Sequence, residues 1–199
     1  MRIKIILSTA LIVASLNAEN MQQIKNTYKS ATASKKILKD SNHKLTISEA
    51  TLLAVNSARI KPQVCAKPTK QLKWNQGLYQ VAKEHSIDMA VNGKLSHNGS
   101  GTKTDVTAKR LKLKRGSFFF ERVNQKPYSK ELLSGELVIR SDTKSLKSPK
   151  DLIQYWIKKP KDCKVIMDSR FTDVALAKVI SNKDNKAYWT LMLMGPRKK

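Results

Sequence analysis

The chain has 199 residues, 40% of them hydrophobic, and carries 39 Lys+Arg against 15 Asp+Glu for a formal net charge of +24 at pH 7. That length supports one domain with a single core, and the charge bears on partners rather than on fold, pointing either to a solvated lysine-rich surface or to polyanions. Sequence-specific nucleic-acid binding is not expected, because no basic run is interleaved with aromatics in the stacking pattern of single-strand binders.

The N-terminus, Met1-Arg2-Ile3-Lys4, is positively charged and leads into an apolar stretch from Ile5 to Leu16, then Ala18 and the polar Glu19-Asn20. This is the layout of a secretory signal peptide over residues 1–18, with cleavage expected after Ala18. The apolar run is roughly a dozen residues, short of the ~20 a spanning helix needs. No cysteine follows it to take a lipid, and no later stretch is apolar enough to span a bilayer. The mature chain is therefore expected to be secreted or periplasmic, with no transmembrane segment. Residues 19–45 are polar and lysine-rich and read as a tether.

The compact domain, residues 46–199, opens at Thr46-Ile47-Ser48-Glu49, a capping-box pattern, and Leu52, Val55 and Ala58 recur on one face of a helix over 47–60. A second helix runs from the cap Asn75 to Gly93, and a third starts at Ser148-Pro149, buries Leu152, Ile153, Trp156 and Ile157, and stops at Pro160. Thr172–Ile180 and Ala187–Met194 read as strands joined by the turn cluster 181–185. Gly135–Arg140 and Phe118–Val123 read as further strands. Helices followed by strands suggest an α+β layered domain.

Cys65 and Cys163 are the only cysteines. In an exported chain they suit a disulfide; two buried thiols or a metal pair are the alternatives, and C-x₂-C spacing is absent. Repeats, phosphate-binding loops, HExxH and GxSxG are not seen.

Five blocks in order resemble the CAP superfamily of cysteine-rich secretory and pathogenesis-related (SCP-like) proteins, in its short bacterial form. They are Leu53–Arg59; Leu72-Lys73-Trp74-Asn75; Ala82–Ala90 leading to Leu95-Ser96-His97; Gly135-Glu136; and Trp156 through Cys163 and Phe171–Val174 to Tyr188-Trp189-Thr190. The resemblance spans about Leu52 to Gly195 and implies a three-layer α/β/α sandwich. It also implies a bridge between a cysteine after the first helix and one after the tryptophan helix, matching Cys65 and Cys163.

CAP domains commonly present a cleft of histidines and acidic side chains that in some members holds a divalent cation. Carried over, His97 and Glu136 match that cleft, and a neutral imidazole facing a carboxylate can hold a cation or share a proton. The departures are as informative. Asp162 stands where a second histidine is expected, Leu137 where the Gly-Glu is usually followed by asparagine, and Leu191 in place of a glutamine. Exchanging a neutral ligand for a negative one shifts preference from zinc toward harder cations. Asp162 would also lie beside the bridge, so reduction is expected to disturb the cleft as well as stability.

Other residues have structural explanations. His85, beside Val81 and Met89, reads as a packed histidine; Glu121 as a local partner of Arg122; Trp74 and Trp156 as packing. The leading expectation is a non-catalytic binding protein engaging an anionic envelope polymer or lipid. One alternative is a metal-assisted hydrolase or peptidase using His97 and Glu136, although no nucleophile announces itself. The other is a lipid carrier, since some members of the family bind lipids.

Overall fold

In a computed structural model, residues 45–126 and 131–197 are described. The expected signal peptide, and all of the tether but Leu45, lie outside them. Helix α1, Ile47–Arg59, begins at the expected capping box: Thr46 accepts from the Glu49 amide and Glu49 accepts from the Thr46 amide. Strand β1, Lys73–Trp74, leads to α2, Gln76–Asn92, which is capped by Asn75 and closed by Gly93 in the left-handed conformation at φ 69°.

Then come two short helices, α3 (Val106–Arg110) and α4 (Phe119–Asn124), strand β2 (Leu132–Asp142), and helix α5 (Pro149–Ile157) capped by Ser148. Helix α6 (Pro160–Met167) and the β3–β4 hairpin (Asp173–Ile180, Lys186–Pro196) complete the domain.

One expectation is corrected. Phe118–Val123 is helical from Phe119, because the Glu121 carboxylate turns back to accept the Phe118 amide at 2.9 Å and caps a helical turn. Local capping and tertiary packing here override the β-propensity of three phenylalanines. Pro160, read as the stop of the third helix, also opens a further helix, α6, where its missing N–H is no loss and Asp162 lies in the first turn.

The four strands form one sheet in the order β1-β3-β4-β2, with β1–β3 parallel and the other pairs antiparallel. The period-2 alternation of β3 sends Val174 and Leu176 to one face, where they join Val55, Leu152, Trp156 and Ile166 of α1, α5 and α6. It sends Ala175 and Ala177 to the other, against Leu78, Val81 and Ala82 of α2. The result is the expected α/β/α sandwich, with α1, α5 and α6 on one face and α2 and α4 on the other.

The disulfide is present, Cys65 to Cys163, with Cα atoms 6.0 Å apart. Arg59, fully buried, braces the same region: its guanidinium donates to the carbonyls of Lys70 at 2.6 Å and Asp168 at 3.1 Å, and to that of Ile166. Burial pulls this guanidinium down to about 10 against a smaller upward pull from Asp168.

Candidate functional site

The loop after α2, which carries His97, is folded around two buried aspartates. Asp88, on α2, accepts from the Ser100 amide at 2.7 Å, from the hydroxyls of Ser100 and Thr104 at 2.6 Å each, and from Asn92 at 3.0 Å. Asp105 caps α3 through the Ala108 amide and accepts from the amide and hydroxyl of Ser117, both at 2.8 Å. Burial works to raise the Asp105 carboxyl, but these hydrogen bonds outweigh it and hold the group below its usual range. Two glycines let the loop close. A Cβ on Gly116 would sit 1.8 Å from the Gly99 carbonyl oxygen, and one on Gly99 would sit 2.0 Å from Asp105 Oδ2.

Loop and sheet meet at Glu136 of β2, whose side chain is 1% exposed. His97 Nδ1–H donates to Glu136 Oε1 at 2.9 Å, and Arg122 of α4 donates from Nη2 to Glu136 Oε2 at 2.6 Å. The same Arg122 nitrogen donates to the His97 carbonyl at 2.7 Å, while Nη1 reaches the Ser117 carbonyl at 3.0 Å. Arg122 thus ties together the loop, the helix and the strand. Behind them His85, 2% exposed, donates from Nε2 to the Ser96 carbonyl at 2.9 Å, and that nitrogen lies 3.9 Å from Glu136 Oε2.

The charge states follow. Burial pushes Glu136 upward, but Arg122 and the His97 hydrogen bond prevail and keep it a carboxylate. The bond to Glu136 raises His97 above its usual 6.5. Burial, helped by Arg122, lowers His85 and keeps it neutral. The exposed chemistry of the site is therefore His97, whose side chain is 58% exposed and whose Nε2 makes no hydrogen bond among the described residues.

Of the residues expected from sequence, His97 and Glu136 come together. Asp162 is half-buried and hydrogen-bonds to nothing among the described residues, although its charge adds a minor upward pull on His97. The expected Glu121–Arg122 pair is replaced. Glu121 takes a bidentate bond from Arg115 at 2.8 and 2.9 Å, and Arg122 goes to Glu136. Adjacent residues on a helix do not face each other, so the helical reading of 119–124 would have separated them and freed Arg122 for a distant partner.

Glu136 is committed within the fold. Both Glu136 oxygens are engaged, and the His85 nitrogen nearest them carries its proton. No three His, Cys, Asp or Glu side chains converge as a metal-binding group among the described residues. A cleft of about 670 Å³ lies in the loop that carries His97, lined by Asn92, Lys94, Asn98, Arg115 and Phe118 among others, with neither His97 nor Glu136 in its lining.

The model of the cysteine-rich secretory protein family, CAP, matches residues 52–193. Comparison with curated proteins gives no match. Among solved structures, an outer surface protein from Borrelia burgdorferi is similar in fold at 14% identity and a TM-score of 0.54, covering 78% of this chain and 98% of that one. An extracellular protein containing a SCP domain from Bacillus anthracis str. Ames aligns at 16% identity and a TM-score of 0.47, over 80% of this chain and 49% of that one.

Proposed function

The chain belongs to the cysteine-rich secretory protein (CAP) family, and we propose that it is a non-catalytic binding protein, acting outside the cytoplasm, whose lysine-rich surface engages an anionic envelope polymer or lipid. The observation that carries this reading is where the negative charge goes. Asp88, Asp105, Glu121 and Glu136 are all buried and bonded within the fold. Lys103, Lys112, Lys114, Lys161 and Lys164 are exposed, so water sees a surface more cationic than the composition alone conveys. The signal-like N-terminus, the disulfide and the surface location in the name of the Borrelia neighbour support an extracytoplasmic site.

Binding to heparin, as a model polyanion, measured over a tenfold range of salt tests the electrostatic part. Log affinity is expected to fall linearly with log salt. An affinity that does not change over that range ends the proposal.

One feature favours a second reading, proton transfer in a hydrolase. His97 has Nδ1 fixed by a buried carboxylate and Nε2 open to solvent, the orientation of a general base. Among the described residues no hydroxyl or thiol hydrogen-bonds to it, and both cysteines are bridged. Peptide and ester hydrolysis by His97→Ala equal to that of the wild type would remove this reading.

A further inference from the structure

The disulfide joins a lysine-rich loop to a lysine-bearing helix. Residues 61–70 turn back through the Gln63–Ala66 bridge, with backbone bonds of 2.9 and 3.2 Å, leaving Val64 and Cys65 at the tip. The two tip side chains part company. Cys65 is tied to the fully buried Cys163, whereas Val64 is 104% exposed. The base of the loop is held as well: the Thr69 amide donates to the Arg59 carbonyl at 2.7 Å, and Arg59 Nε donates to the Lys70 carbonyl at 2.6 Å. Pro62 and Pro68 further restrict the backbone.

Around this apex the exposed charge is cationic. Lys61, Lys67 and Lys70 lie on the loop, and Lys161 and Lys164 flank Cys163 three residues apart on the outer side of α6. Asp168 is turned to Arg170 by two-pronged hydrogen bonds, and Asp162 is half-buried. A lone exposed valine is ordinary on a protein surface. One at the tip of a loop anchored at apex and base, bordered by lysines, matches a particular partner: a surface that is anionic outside and apolar just beneath. That is the headgroup region of a bilayer containing anionic phospholipid. A soluble polyanion would meet the lysines and leave Val64 unused.

We infer that the disulfide-clamped loop 61–70 docks on anionic phospholipid headgroups, with Val64 entering the boundary below them and Lys61, Lys67 and Lys70 meeting the phosphates. This rests on the proposal that the basic surface has an anionic partner, and it narrows that proposal to one face and one partner class.

The test places a reporter at the apex. The full chain carrying Val64→Trp is mixed with vesicles of phosphatidylcholine, with or without phosphatidylglycerol, and its emission is compared with that of the wild type to isolate the introduced indole. On phosphatidylglycerol vesicles the indole emission is expected to shift to the blue and to become protected from acrylamide; on phosphatidylcholine alone it stays water-like. Adding Lys61→Glu, Lys67→Glu and Lys70→Glu should lower vesicle affinity by roughly 100-fold. The same charge change at Lys103, Lys112 and Lys114 should keep the indole response. If the protein sediments with phosphatidylglycerol vesicles while the indole stays accessible to acrylamide, the docking mode is overturned and the anionic-partner reading survives. Binding to heparin without binding to the vesicles overturns it in the same way. Binding to neither overturns both.

Discussion

Arg122 and Glu136 meet at 2.6 Å with side chains only 2% and 1% exposed, and the same guanidinium nitrogen holds the His97 carbonyl at 2.7 Å. One buried ion pair therefore closes the junction between α4, β2 and the His97 loop. Taking away one member strands a buried charge. Arg122→Met is expected to cost about 3–5 kcal/mol of unfolding free energy in urea, and replacing both members by apolar residues should recover most of it. A loss under about 1 kcal/mol for the single variant would mean that the pair does not hold the junction.

The two site histidines should titrate in opposite directions. His97 is raised above 6.5 by its bond to Glu136 and His85 is lowered, chiefly by burial. A raised histidine contributes stability that is complete below the unfolded value of about 6.5 and is lost as pH climbs through the folded value. His85, held neutral, contributes above about 6.5 and loses that contribution as pH falls through its lowered value. Imidazole NMR titration should show one resonance moving above 6.5 and another below. In His97→Ala the loss of stability on the alkaline side should flatten.

Gly116→Ala puts a methyl where the Gly99 carbonyl oxygen lies, at 1.8 Å. The loop must shift, at about 1–3 kcal/mol. Because Ser117 and Gly99 then lose register, the His97 resonance should move back toward 6.5. Thermal unfolding and the NMR titration read the two effects separately, and a stable variant with His97 unmoved would contradict the account of the loop.

Opening the bridge tests a different part. Cys65 and Cys163 are separated by 98 residues, so reduction or Cys65→Ser with Cys163→Ser should cost about 4–5 kcal/mol in the chain-entropy model. From the sequence, with Asp162 next to Cys163, the cleft is expected to suffer as well. The fold argues against that, because Cys163 belongs to the α1/α5/α6 face of the sheet while Glu136 is held by Arg122 and His97 on the α2/α4 face. The raised titration of His97 should survive in whatever fraction of the reduced protein stays folded.

Much of the fold was legible. Thr46, Asn75 and Ser148 announce helix starts because a cap is satisfied within three residues, and the β3–β4 hairpin shows in the alternation of Val174 through Ala177. Helix α6 is not legible in the sequence, because Lys159 offers no side-chain cap and Pro160 reads first as a stop. Phe118–Phe120 suggested a strand for want of any local sign that Arg115 would hold Glu121 in place as a capping carboxylate.

The candidate site divides along the same line. His97 and Glu136 are legible through the order of five blocks, and the disulfide through the family's pattern. The choice of partner for Arg122 was not legible at all, since its neighbour Glu121 was the nearer carboxylate along the chain. By itself the sequence determined the element starts, the alternation of the strands and the positive balance of charge, all of which are set by residues a few positions apart or by composition. Only the tertiary structure decided which charges meet, and that the bridge and the His97–Glu136 pair lie in different layers. Those outcomes depend on distances across the sheet, where burial makes an unpaired charge costly and so selects its partner.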